Sequence, residues 1–158
     1  MSGPGPDDEM PDGIDASAPV VATDQIEIAA SPEAVWDVLT GFEEWPSWNR
    51  DVKSLTIDGE VSPGTVFRWK AGPSTITSTI DHVLPPRLIS WTGKTVGIKA
   101  IHFWHLEPRD GATLVRSEES YQGFMARLFR GRLKKTLKAA LAEGLGDLKR
   151  EVERRSSS

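Results

Sequence analysis

The chain contains no cysteine, and that absence removes a disulfide framework, thiolate metal sites and a cysteine nucleophile together. Long apolar runs are missing too. No stretch approaches the roughly 20 residues of a membrane-spanning helix, and the N-terminus lacks the basic and apolar regions of a secretory signal. A cytoplasmic protein without stable membrane insertion is therefore expected. The three histidines, His82, His102 and His105, lack metal-ligand spacing, so no metal and no other cofactor is expected. There is no phosphate loop or dinucleotide fingerprint and no Gly-x-Ser-x-Gly nucleophile elbow. The Gly93–Gly97 stretch joins two predicted strands and reads as a pocket rim.

Charges of one sign are also missing from particular segments. Residues 1–15 have no Lys or Arg, but carry Asp7, Asp8, Glu9, Asp12 and Asp15 amid Pro and Gly. A disordered acidic tail over 1–18 is expected, with a single domain over 19–155. Between Arg127 and Lys138 the reverse holds, with six basic residues and no acid. Because these positions mostly fall off the apolar stripe, they read as a solvated helix face. An anionic membrane or nucleic-acid surface is the sharper alternative. The net charge of −4 weighs against it, and no nucleic-acid partner is expected. No feature of the chain sets an oligomeric state.

What the chain does have is aromatic bulk: six Trp and five Phe against one Tyr, enough to line an interior with large rings. At 158 residues one core is the default. Val20 to Ala29 alternates as a first strand, and Ser31-Pro32-Glu33 opens a helix in which Ser31 caps and Val35, Trp36 and Leu39 face inward. A short helical turn around Trp45 to Trp48 follows. Six more strands are predicted, Lys53–Asp58, Thr65–Lys70, Ser74–Leu84, Leu88–Thr92, Lys99–Glu107 and Ala112–Gln122, joined by turn-like segments that imply an antiparallel meander. From Phe124 the period lengthens to nearly four. Met125, Leu128, Phe129, Leu133, Leu137, Leu141, Leu145, Leu148 and Val152 then form one stripe of a long helix, with Gly144 and Gly146 as points of bending or fraying.

Several segments together resemble the START-like or helix-grip superfamily, in its polyketide cyclase/dehydrase and lipid-transport group. They are Ser31–Leu39, Trp45–Asn49, Gly64–Trp69, Pro85–Gly93, His102–Trp104 with Leu106–Pro108, and Glu118–Gly123. The resemblance implies an α+β helix-grip fold. In it a curved seven-stranded antiparallel sheet wraps a long C-terminal helix, two short helices follow the first strand, and an elongated apolar cavity lies between sheet and helix. It also implies a hydrophobic small-molecule partner, such as a polyketide, lipid or isoprenoid-like compound. Only some members of the group catalyse a reaction.

Strand alternation then assigns the pocket, because side chains at i and i+2 share a face. Phe67 and Trp69 point inward on one strand, Ile76, Ser78 and Ile80 on the next, and Ile89 and Trp91 on the third. On Lys99–Glu107 the family pattern selects His102, Trp104 and Leu106, and the last strand offers Val115, Ser117, Glu119 and Tyr121. From the helix, Met125 and Phe129 are expected as pocket floor with Leu133 deeper. Trp69, Trp91 and Trp104 either stack on a flat ligand or fill the cavity, in which case the chain is a non-catalytic interaction protein that uses the fold's surface. His102 and Glu119, on neighbouring strands, are the candidate catalytic pair. They either move protons, as an aldol cyclisation or dehydration requires, or satisfy each other or orient a ligand. Glu118, pointing the other way, cannot join them.

Overall fold

The computed structural model describes residues 13–157; residues 1–12, and with them most of the expected acidic tail, lie outside the described residues. Seven strands form one antiparallel sheet: β1 (Val20–Ile28), β2 (Val52–Ile57), β3 (Val66–Ala71), β4 (Ser74–Leu84), β5 (Leu88–Thr95), β6 (Ile98–Arg109) and β7 (Ala112–Gln122). Their order is β1-β7-β6-β5-β4-β3-β2. Strands β2 to β7 run as a meander, and β1 closes onto β7. Between β1 and β2 lie α1 (Pro32–Thr40), one turn of 3-10 helix (Phe42–Glu44) and α2 (Trp45–Trp48). The Ser31 hydroxyl accepts from the Ala34 amide and Pro32 occupies the first turn of α1, as capping chemistry requires.

The C-terminal helix differs from the periodic reading. It is broken into α3 (Phe124–Leu128) and α4 (Arg130–Ser156), with Phe129 at the break at φ −115°, ψ 36°. Helix α4 then runs unbroken through Gly144 and Gly146, so those glycines do not fray it. Its stripe Leu137, Leu141, Leu145, Leu148 and Val152 is buried. The C-terminal half packs into a core with Ile28, Val35, Leu39 and Val115.

Two carboxylates, one buried and one half-buried, fix α4 on its polar side. Asp147, 1% exposed, accepts from the Arg50 amide at 3.1 Å and from Arg150 at 2.8 Å. Burial alone would raise its pKa, but these donors outweigh burial and hold it below the ordinary carboxylate value. Glu153 accepts from the Ala29 amide and from Lys149. The helix is thereby tied to both the α2–β2 loop and the β1–α1 loop.

Candidate functional site

The β6–β7 ladder builds the centre of the site. A two-residue turn, Asp110–Gly111, with Gly111 at φ +70°, starts the pairing at Arg109↔Ala112, and no bulge interrupts it as far as Lys99↔Gln122. His102 therefore lies directly across from Glu119, and both point to the concave face. Their closest atoms, Nδ1 and Oε2, are 3.4 Å apart, with side chains 12% and 14% exposed. On its other edge His102 Nε2 is 2.6 Å from Ser117 Oγ. The imidazole lies between two indoles, with ring centroids 5.2 Å from Trp91 and 5.1 Å from Trp104.

This apolar setting decides the charge state. Burial pushes the Glu119 carboxyl up to about 8 and the His102 imidazole down to about 3, because neither ionised form is adequately solvated there. At neutral pH the pair is a carboxylic acid beside a neutral imidazole. Burial and then the neighbouring Glu119 raise the Tyr121 phenol above its ordinary value, so it too is a neutral hydroxyl.

Around this pair lies a cavity of about 320 Å³, walled on the sheet side by Trp69, Ile76, Ser78, Trp91, Ala100 and Tyr121. Leu133, Thr136 and Ala140 of α4 form the opposite wall. A second lobe of about 140 Å³ continues inward past Trp45, Trp48 and Trp104 to Leu137, Leu141 and Gly144. His102, Glu119 and Tyr121 line both. The far end is closed by rings. Phe42 lies 4.7 Å from both Trp45 and Phe67 and 5.6 Å from Trp91, and the Trp45 indole N–H is anchored on the Leu39 carbonyl at 2.9 Å.

Of the residues expected from alternation, Trp69, Ile76, Ser78, Trp91, Trp104, His102, Glu119, Tyr121 and Leu133 line the cavity. Phe67 and Ile89 do not; both are wholly buried in the ring-filled core. Ser117 is wholly buried, and its hydroxyl holds the edge of His102. Met125 and Phe129 are not cavity floor, because the break at Phe129 turns α3 outward. Phe129 is exposed, and Met125 packs on Gly97 of the β5–β6 turn. Alternation does not reach the cavity mouth, which comes from the turn Gly72–Pro73, from Thr95–Ile98, overlapping the Gly93–Gly97 stretch read as a rim, and from Asp51. Aperiodic turns carry no facing signal; only the Gly and Pro punctuation at these positions marks them.

The convex face has a depression of similar size lined by Arg87, His105, Glu107 and Arg116, where His105 stands 3.4 Å from Glu118 and Glu118 3.2 Å from Arg116. The His105 and Glu118 side chains are half-buried and burial lowers the His105 pKa from its ordinary value, while the His102–Glu119 pair lies on the opposite side of the sheet.

No curated protein sequence matched the chain. Among solved structures, the ZhuI aromatase/cyclase from Streptomyces sp. R1128 superposes with a TM-score of 0.77 at 18% identity, covering 86% of this chain and 94% of that one. TTHA0849 from Thermus thermophilus gives 0.76 at 17%, covering 86% and 99%. A START superfamily protein from Mycobacterium smegmatis gives 0.63 at 17%, covering 82% and 97%. At these identities the likeness is one of fold. Residues 19–153 match the family described as polyketide cyclase / dehydrase and lipid transport, and the chain belongs to that family.

Proposed function

We propose that this protein binds a hydrophobic small molecule, polyketide-, lipid- or isoprenoid-like, in the cavity between the sheet and α4. The observation that carries this reading is the cavity of about 320 Å³ in a protein otherwise rich in rings that could have filled it. That volume is at the lower end of the roughly 300–1,000 Å³ typical of small-molecule sites. It suits a compact molecule of a few rings or one short chain. The wall is largely apolar and aromatic, and two of its inner polar groups, the Glu119 carboxylic acid and the Tyr121 hydroxyl, are neutral donors. A neutral ligand with one or two oxygens on an apolar frame fits that lining.

Quenching of Trp91 and Trp104 fluorescence by a hydroxyanthraquinone, alongside farnesol and a fatty alcohol as competitors, tests the reading. Saturable binding is expected, and Ala140→Phe, which fills the cavity from the helix side, should remove it without lowering the melting temperature. Absence of saturable binding to all three probes, with no small molecule retained in native mass spectrometry, would sink the proposal.

The His102–Glu119 geometry supports a second reading, a cyclase/dehydratase. Neutral His102 would take the proton α to a carbonyl, and the Glu119 acid would protonate the departing hydroxyl, so that water leaves and a C=C bond forms. Transfer of the proton from Nδ1 to the Glu119 carboxylate would reset the pair. On this reading Glu119→Gln retains binding and loses turnover; retained turnover would remove it.

A further inference from the structure

Four large apolar side chains of the described residues are exposed, and they gather at the cavity mouth. Val96 is 85% exposed at the tip of the β5–β6 turn; Phe124, Leu128 and Phe129, on α3 and at its break, are 66%, 69% and 40% exposed. The two elements touch. The Met125 amide donates to the Gly97 carbonyl at 3.1 Å, and a side chain added at Gly97 would meet Phe124 and Met125. Thr95 and Ile98, flanking this tip, line the cavity, as does Leu133 one turn into α4.

Cations surround the apolar tip. Lys94 and Lys99 flank it on the hairpin, six further Lys or Arg lie between Arg127 and Lys138, and all eight are exposed. None of the eight makes an ion pair among the described residues. Residues 88–106 and 120–142 contain no acidic residue at all. The whole chain nevertheless sums to −4, so these eight of its 19 Lys and Arg stand out as a basic group, with Asp51 the acidic residue that lines the mouth.

We infer that this mouth docks peripherally on an anionic phospholipid bilayer. Lys and Arg would sit among the headgroup phosphates, while Val96, Phe124 and Leu128 enter the interface. The shape of the patch selects this partner. The apolar groups protrude, and a fluid interface takes protruding side chains without a complementary groove, whereas a peptide ligand needs a concave seat. The charge selects an anionic surface, each cation near it strengthening attachment about fivefold at modest salt. Among the described residues no helix is long and apolar enough to cross a membrane. Docking in this orientation brings the cavity mouth to the lipid, so a hydrophobic ligand would pass between bilayer and cavity without entering water. That transfer rests on the proposed ligand binding; the docking does not.

Flotation of the full chain with vesicles tests the inference. It should float with vesicles containing about 30 mol% phosphatidylglycerol and not with pure phosphatidylcholine, and added salt should weaken the association. Phe124→Ser/Leu128→Ser should weaken flotation at least about tenfold, and Lys134→Glu/Lys135→Glu by about 25-fold or more. All these side chains are exposed, so melting temperatures should be unchanged. Failure of the folded protein to float with anionic vesicles overturns the inference. So does flotation that ignores the apolar substitutions, because charge adsorption alone would serve an acidic protein or a nucleic acid equally well. Anthraquinone quenching on the same preparations reports the cavity separately. Docking without quenching would remove the ligand-binding reading and leave the docking; quenching without docking would do the reverse.

Discussion

Replacing Glu119 by Gln should change stability with a sign that depends on pH. In the native protein burial holds the carboxyl protonated up to about 8, against an ordinary value of 4.5. Below 4.5 it is protonated in both states and contributes nothing. As the pH rises from 4.5 to about 8, the unfolded chain loses a proton that the native state retains. Native stability therefore falls by up to about 1.4 kcal/mol per pH unit, or about 5 kcal/mol by the top of the range.

His102 acts in the other direction. Its native value is about 3 against an ordinary 6.5. From 6.5 downward the unfolded chain gains a proton that the buried imidazole refuses, and stability falls toward acid. Between 4.5 and 6.5 the two slopes cancel, so the pair gives the wild type a plateau with a falling limb on each side. Gln at 119 abolishes the alkaline limb. Near pH 5 the variant should lie within about 1 kcal/mol of wild type, since one neutral hydrogen-bonding group replaces another; above pH 8 it should be more stable by several kcal/mol.

Urea unfolding followed by Trp fluorescence at matched pH values, for both proteins, makes the comparison. The wild-type curve alone would not decide, because a buried ion pair gives the same plateau. The variant does. Gln would leave an imidazolium of such a pair stranded, at a cost of about 3–5 kcal/mol near pH 5 to 6. A loss of that size there would refute the neutral-pair reasoning, and so would an imidazolium signature for His102 in NMR spectra at the same pH.

Three further substitutions follow from the same geometry. Ser117→Ala removes the 2.6 Å contact to His102 Nε2 and should cost about 1 kcal/mol, with a change in the His102 tautomer visible in ¹⁵N chemical shifts; unchanged shifts would separate Ser117 from the pair. Gly97→Ala places a methyl group on Met125 at φ +73°, and should cost about 1–3 kcal/mol, read as a lower urea midpoint. Asp147→Asn tests the tie between α4 and Arg50. The folded carboxyl titrates below its ordinary 3.8, so its contribution is fully present above that value and is lost as pH falls through the lower folded one. The variant should therefore be less stable near neutrality, with the difference shrinking toward acid; a difference that does not shrink would contradict the assigned role.

The parts of the site that were legible in the sequence are those governed by a repeat. The His102–Glu119 pairing follows from alternation once the Asp110–Gly111 turn sets the offset, and no bulge intervenes between turn and pair. Strand β4 shows how fragile such reasoning is. Its register shifts between Ile80 and His82, and an assignment carried past that point would have inverted every side chain. The ring-filled end of the core was less legible. Phe67 and Ile89 do point inward, but whether an inward residue meets a cavity or another ring depends on what crosses the sheet, here Phe42 and Trp45 from the segment after α1. The break at Phe129 was hidden because Phe124, Leu128 and Phe129 keep helical spacing with Leu133. Their spacing is that of a buried stripe, and only the tertiary turn exposes them.

The cavity itself arises from an asymmetry of side-chain size along α4. Toward its C-terminus Leu145, Leu148 and Val152 fill the space against the sheet. Toward its N-terminus the face presented to the sheet includes Thr136, Ala140 and Gly144, one turn apart from each other, and all three line the opening. A side chain added at Gly144 would meet nothing within 4 Å. Glycine in a helix interior costs about 1 kcal/mol relative to alanine, and here no close approach of another element offsets that cost. Across from these small residues the sheet supplies Ala100 and Gly93 on the same wall as the buried acid. Small residues on both sides and an uncompensated helical glycine argue against a core that merely failed to close. Ring packing at the other end of the same sheet shows that this chain fills space where it is to be filled. The opening is thus part of the sequence's design for the fold, and it lies where His102, Glu119 and Tyr121 converge.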